Sequence, residues 1–306
     1  MSVTIVGLGP ADGRYLTREA WEVLAAAEAV YLRTAQHPAA ADLPPGVATM
    51  SFDHVYETAA DFDQAYQTIC DEVMRLGRRA AERGATLVYA VPGHPLIGES
   101  TTTAILAAGR AEGLPVRVVA GLSFIEPTLS ALGLDGLEGL QLFDAIEVAG
   151  YNHPPLNTDR PALLGQVYSR RLANELKLAL MAAYPDEHPV VLIHAAGSDA
   201  QLLEHVPLFA IDRSPQLAHL SSLYLPPRPE ASGLTALAET VATLRAPEGC
   251  PWDREQTRES LAPHLLEEVG EFLASVESGE AEAICDELGD VLGHVVMQAQ
   301  MAAEQG

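Results

Sequence analysis

The chain has 306 residues, and its 18 Lys and Arg against 42 Asp and Glu give a formal net charge of −24. That balance excludes a nucleic-acid polymer as partner, because phosphate backbones are bound by clustered Lys and Arg, but it is compatible with a free nucleotide chelated to a metal. No stretch approaches the roughly 18 apolar residues of a membrane span, and Cys70, Cys250 and Cys285 show neither zinc nor disulfide spacing, so a cytoplasmic protein with no membrane partner is expected.

In chain order, Val3-Thr4-Ile5-Val6 reads as a buried strand, Gly7-Leu8-Gly9-Pro10 as a tight turn, and the segment after Thr17 as a helix that Thr17 caps. Asp12 stands where a dinucleotide fingerprint needs its third glycine, which disfavours a nicotinamide site. A second strand, Leu87-Val88-Tyr89-Ala90-Val91, runs into Pro92-Gly93-His94-Pro95, and a third, Val116-Arg117-Val118-Val119, into Gly121-Leu122-Ser123. Open α/β sheets build ligand crevices at the carboxyl ends of such strands. A Pro- and Gly-rich stretch, residues 226–233, separates residues 1–225 from a helical segment, residues 234–306.

The last segment carries Glu267 and Glu268, four and three residues before Glu271, on one helix and Glu287, three residues before Asp290, on the next. Like charges at that spacing cost a helix about 0.2–0.5 kcal/mol per pair, and no Lys or Arg intervenes. Oxygen-seeking Mg2+ reverses that cost, and it commonly sits between carboxylates and substrate phosphates. The other explanation is a solvated acidic helix face. Leu265, Leu266, Val269, Phe272, Leu273 and Val276, then Ile284, Leu288, Val291, Leu292, Val295 and Val296, recur at the helical period and predict a buried stripe on each helix. A turn at Ser278-Gly279 then brings the two acidic sets face to face. Residues from Pro247 onward hold fourteen acidic side chains against Arg254 and Arg258.

Cys250-Pro251-Trp252-Asp253-Arg254-Glu255-Gln256-Thr257, followed by EExxE and ExxD, resembles the MazG family of nucleoside triphosphate pyrophosphohydrolases. The resemblance implies cleavage of a nucleoside triphosphate between the α and β phosphates, with Mg2+ held by Glu267, Glu268, Glu271, Glu287 and Asp290. Glu268 and Glu271 are the carboxylates expected to enter the chemistry, and which one acts as base stays open. The chain departs from the family with Arg258 for a usual His and His264 for a usual Tyr. The family pattern also continues into a further helix, so an incomplete MazG-like domain is expected.

The segments GLGPADGRYLT, YAVPGHP, AGLSF and LYLPP, over about the first 225 residues, resemble the tetrapyrrole methylases. The YabN-like bacterial fusions of that domain to MazG share Arg33-Thr34 with His37-Pro38, Phe52-Asp53, Tyr56-Glu57 and Lys177-Leu178. The resemblance implies an α/β fold of two subdomains with S-adenosylmethionine between them, followed by a small all-α domain. It places Gly7, Gly9, Pro10, Pro92, Gly93, His94, Pro95 and Ser123 around the cofactor, with Met181 and Ala195 matched only by lying near later strands. His94 replaces the Asp usual in active methylases, and a His donates where Asp accepts.

Three activities therefore stand side by side: a Mg2+-dependent pyrophosphohydrolase on a methylase-like domain, an S-adenosylmethionine-dependent methyltransferase with a helical remnant used for dimerisation, and a ligand-binding regulator. A helical hairpin of this size buries little core alone, so a homodimer is expected.

Overall fold

The computed structural model describes residues 3–230 and 233–305; Met1, Ser2, Ala231, Ser232 and Gly306, and with them part of the expected linker, lie outside the described residues. Contacts divide the chain into two compact units: Met1–Pro155 with Pro161–Pro226, and Leu156–Arg160 with Pro227–Gly306. The short Leu156–Arg160 segment thus groups with the later residues, and Arg228 N donates to Thr158 O at 2.8 Å.

The first half of the larger unit runs β1 (Val3–Gly7), α1 (Arg18–Ala25), β2 (Ala29–Leu32), β3 (Ala48–Ser51), α2 (Asp53–Thr58), α3 (Phe62–Glu82), β4 (Leu87–Val91), α4 (Ser100–Glu112) and β5 (Val116–Val119). Its sheet is wholly parallel in the order β3-β2-β4-β1-β5. Every residue of β1 and β4 is buried, which is why both read as unbroken apolar runs rather than alternating ones. Clusters on the two faces of the sheet, one around Ile5, Ile69 and Tyr89 and the other around Val6, Leu24 and Val88, supply the core. Thr17 caps α1 as expected, its Oγ1 accepting from Ala20 N at 3.1 Å.

The second half runs α5 (Ile125–Leu132), β6 (Gln141–Asp144), α6 (Ala145–Ala149), β7 (Ala162–Gly165), α7 (Arg170–Leu180), β8 (Pro189–His194), β9 (Leu202–Pro207) and β10 (Ser221–Leu225). Its mixed sheet has the order β6-β7-β10-β8-β9, with β10 antiparallel to both neighbours. The start of β10 therefore lies beside the carboxyl ends of β7 and β8.

The smaller unit is all helix: α8 (Leu234–Arg245), α9 (Pro251–Glu255), α10 (Arg258–Ser278) and α11 (Ala281–Gln305). Gly279 closes α10 in the left-handed conformation at φ 72°, and the chain turns back so that α10 and α11 pack as a hairpin. Val241, Leu261, Met297 and Met301 form its core. The buried Arg245 guanidinium pins the helix ends together, pairing with Glu304 at 2.7 Å and donating to Asp253 O at 2.6 Å.

The expected buried stripe is not realised: Leu265, Val269, Phe272, Ile284, Val291 and Val296 are only partly buried. Leu266, Leu273, Val276, Leu288, Leu292 and Val295 are exposed, Leu266 to 75%. The apolar face is wider than the contact between two helices, so one side of it faces outward.

The glycine turns after β1, β4 and β5 meet backbone to backbone. Gly9 and Gly93 exchange N–H···O bonds at 3.2 and 2.7 Å. A Cβ on Gly121 would fall 2.5 Å from Gly93 O, and one on Gly7 would fall 2.6 Å from Gly121 N. Gly121→Ala is accordingly expected to destabilise the protein by about 1–3 kcal/mol through overpacking, read as a lowered Tm in thermal denaturation. Gly270→Ala, where a Cβ meets nothing within 4 Å, leaves the Tm unchanged or raises it.

Candidate functional site

The larger unit carries a crevice of about 190 Å³ at the carboxyl ends of its strands. The turns after β1 and β4 supply Pro10, Pro92, Gly93 and His94, the segment after β5 supplies Ser123, and the second sheet supplies Gln166, Ala196, Ser221 and Ser222. A ligand crevice at strand ends is the arrangement that open α/β sheets favour. Gly93 has φ 66° and a Cβ there meets no protein atom within 4 Å, so the missing side chain leaves room in the crevice.

Buried His37 and Glu99 and the partly buried Arg33 form a polar wall of the crevice. Arg33 Nε lies 3.0 Å from Glu99 Oε2, and the Glu99 side chain is 2% exposed. Thr101 Oγ1 donates to the other Glu99 oxygen at 2.6 Å, so one carboxylate oxygen is hydrogen-bonded and the other faces the Arg33 charge. His37 is 7% exposed and its Nδ1 has no hydrogen-bond partner. Burial, then the nearby Arg33 and His219, push the His37 imidazole down to about 4.

His94 uses one ring nitrogen for its own turn: Nδ1 accepts from Leu96 N at 3.0 Å. That fixes the neutral ring's proton on Nε2, which makes its remaining polar atom a donor. The Ser123 hydroxyl is also committed, donating to Glu126 at 2.7 Å and accepting from Ile125 N at 3.0 Å.

The helical unit carries the second site. Glu268 on α10 and Glu287 and Asp290 on α11 each place a carboxylate oxygen within 4.8 Å of the others. Glu287 Oε2 is buried without a hydrogen-bond partner. Its pKa is raised, first by desolvation and then by Glu271, Asp290 and Glu268. His294 Nε2 stands 3.9 Å from Glu268, and its ring stacks on His264 at 6.4 Å.

Several expected positions fall elsewhere. Gly7, Gly9 and Pro95 do not line the crevice; they pack beneath it, with Gly7 against Gly93, Pro95 and Gly121. Met181 follows α7 as its C-cap, is 37% exposed and is not one of the residues that line the crevice. Ala195 is next to the lining residue Ala196 and holds φ 48°. Glu267 points outward beside His264, 3.7 Å away, while Glu271 acts on Glu287 electrostatically. Sequence reading missed Glu99, Gln166, His219, Ser221 and Ser222; Gly98 before Glu99 and Gly165 before Gln166 were signals that could have found the first two, whereas no glycine directly precedes the other three, and positions 33 and 37 stood in a shared motif with no role attached.

Comparison with known proteins agrees with both halves. Residues 2–212 match the family Tetrapyrrole (Corrin/Porphyrin) Methylases, and residues 256–306 match the MazG nucleotide pyrophosphohydrolase domain. The Bacillus subtilis (strain 168) protein YabN is 35% identical over 99% of this chain and 62% of its own length. The Thermotoga maritima nucleoside triphosphate pyrophosphohydrolase/pyrophosphatase MazG is 47% identical over 23% of this chain and 28% of its own. The chain thus spans less than two thirds of either relative. Uroporphyrin-III-C-methyltransferase from Thermus thermophilus shares the fold with a TM-score of 0.58 at 21% identity, over 74% of this chain and 94% of that one. Another structure of that enzyme, with a TM-score of 0.50 at 21% identity over 74% of this chain and 92% of that one, is complexed with S-adenyl homocysteine. With a methylase match over more than half its length and a MazG match after it, the chain belongs to the tetrapyrrole methylase family, in the form of a methylase-like domain fused to a MazG-like helical one.

Proposed function

We propose that the helical unit is a Mg2+-dependent nucleoside triphosphate pyrophosphohydrolase, releasing a nucleoside monophosphate and pyrophosphate, and that the methylase-like unit binds S-adenosylmethionine in its crevice. The observation that carries the first part is the convergence of Glu268, Glu287 and Asp290 within 4.8 Å, with Glu287 Oε2 buried and unpartnered. An orphaned buried carboxylate oxygen among like charges is costly unless a cation completes it. The donor set is all oxygen and suits Mg2+.

Glu268, Glu287 and Asp290 would hold the ion, with Glu271 at the edge of the cluster as the carboxylate free to take a proton. Bound there, Mg2+ supplies charge neutralisation for the phosphates and a lowered pKa for the attacking water. Glu267, facing outward, is the weakest ligand of the five. The exposed face of Leu266, Leu273, Leu288, Leu292 and Val295 is the surface on which a second copy would pair, giving a homodimer.

The crevice fits S-adenosylmethionine through the room left by Gly93 and the backbone groups of its glycine turns. It supports methyltransferase activity as the second reading; ligand binding without turnover at either site is the third. A cytoplasmic location accords with the absence, among the described residues, of any helix long and apolar enough to cross a membrane.

Pyrophosphate release from a panel of common and damaged nucleoside triphosphates with Mg2+ tests the main reading. Activity in the wild type that falls by about 100-fold or more in Glu268→Gln and Glu287→Gln is expected, consistent with loss of electrostatic stabilisation; no release with any nucleotide contradicts it. Light scattering on the same samples is expected to show a dimer, and a monomer with or without Mg2+ removes the pairing surface.

Glu287 also predicts a pH signature. Its folded pKa is raised, so the folded state gains stability when the group is protonated and loses it as pH rises. In metal-free buffer Glu287→Gln should match wild type at low pH and become progressively more stable than it above the ordinary Glu value of about 4.3. A difference in Tm that stays constant with pH contradicts this.

A further inference from the structure

Ser221, His194 and Glu204 make a hydrogen-bonded chain that ends at the crevice. His194 Nδ1 lies 2.9 Å from Ser221 Oγ, and His194 Nε2 lies 3.3 Å from Glu204 Oε2. Ser214 Oγ donates to the same Glu204 oxygen at 2.5 Å, and Ala218 N donates to Ser221 Oγ at 2.9 Å. One protonation pattern satisfies every member. An ionised Glu204 only accepts, so the neutral ring carries its proton on Nε2; Nδ1 then accepts from the Ser221 hydroxyl, whose own acceptor lone pair takes the Ala218 N–H. This is the order of donors that activates a hydroxyl: serine to imidazole, imidazole to carboxylate. Ser221 and His194 are buried, and Ser221 is part of the crevice wall.

A second observation singles out the same spot. Among the described residues, Gln166 at φ 66° and Ala195 at φ 48° are the two non-glycine residues with positive φ. They follow β7 and β8 and flank the start of β10: Val167 N donates to Ser221 O at 3.0 Å, and Ala195 N to Leu220 O at 2.9 Å. Backbone held in a sparsely populated region costs about 1–3 kcal/mol per residue and clusters at functional sites. The pair is buried on its imidazole side, where the His194 side chain is 7% exposed, while the Glu204 carboxylate is 29% exposed.

We propose that Ser221, His194 and Glu204 form a proton relay serving the crevice, and that the crevice therefore takes a methyl acceptor whose reacting atom must lose a proton, such as a hydroxyl or an amine, rather than one that reacts through a free lone pair. This rests on the S-adenosylmethionine reading of the crevice. As the methyl–sulfur bond breaks and the bond from methyl to the acceptor atom forms, the acceptor's proton passes to Ser221 Oγ while the Ser221 proton passes to His194 Nδ1. Glu204 stabilises the resulting imidazolium, which returns its proton to water. The products are the methylated acceptor and S-adenosylhomocysteine.

The test treats the full chain with diisopropyl fluorophosphate, which reports hydroxyl activation: the Ser221 O–P bond forms, the P–F bond breaks, fluoride leaves and the hydroxyl proton goes to His194. Peptide mass mapping should find one adduct, on Ser221, forming about 100-fold more slowly in His194→Gln and absent in Ser221→Ala. No adduct on Ser221, or an equal rate in His194→Gln, overturns the relay. The wild-type chain gives a readout that needs no variant: 15N NMR should show His194 protonated on Nε2, and a ring protonated on Nδ1 overturns the assignment. S-adenosylhomocysteine added to the same samples separates the two claims. A thermal shift without a Ser221 adduct keeps the cofactor reading and removes the relay; an adduct without any shift or protection keeps the relay and removes the cofactor reading.

Discussion

Carboxylates facing one another across a single helical hairpin set the terms for the C-terminal unit. Glu268, Glu287 and Asp290 crowd together where no Lys or Arg relieves them, and Glu287 buries an oxygen with nothing to accept from. The hairpin has little apolar core to offset that repulsion, since much of its apolar stripe faces outward. On the proposed reading such a unit would be completed from outside, by a cation on its acidic side and by another apolar surface on the other. The two needs lie on one pair of helices, so metal, nucleotide and assembly would be linked through the same few turns.

The methylase-like unit answers to a different constraint, that of three backbone turns touching with no side chain between them. Gly7, Gly93 and Gly121 allow the turns after β1, β4 and β5 to meet, and their meeting makes the floor of the crevice. Glycine serves two purposes there. At positions 7 and 121 it permits close packing; at position 93 it leaves space that a ligand can enter. The walls then come from the second sheet, where β10 starts between the ends of β7 and β8 and carries Ser221 and Ser222 into the crevice.

Much of this was legible in the sequence because it is local. Apolar runs ending in glycine turns gave the strands β1, β4 and β5; the 3.6-residue period with a Gly279 stop gave the α10–α11 hairpin; carboxylate spacing gave its acidic face. What escaped was set by pairing between distant segments. Glu99 stands near position 33 only because β2 and β4 are neighbours in the sheet, and Ser221 meets His194 only because β8 and β10 pair. His194 carries no spacing signal, since its partners are 10 and 27 residues away. Met181 was placed by proximity to a strand in the sequence, and it is the C-cap of α7 rather than one of the residues that line the crevice. Glu267 was grouped with the other carboxylates by its four-residue spacing to Glu271 and by the motif it shares with the MazG family, and its side chain stands beside His264 rather than among Glu268, Glu287 and Asp290.

The central claim is that the acidic hairpin is built for a divalent cation, and Mn2+ as a paramagnetic stand-in for Mg2+ tests it most directly. Titration followed by electron paramagnetic resonance should show saturable binding to the wild-type chain, competed by Mg2+ and lost in Glu287→Gln. Binding that is absent, or that survives in Glu287→Gln unchanged, would contradict the account and leave the carboxylates as an acidic surface.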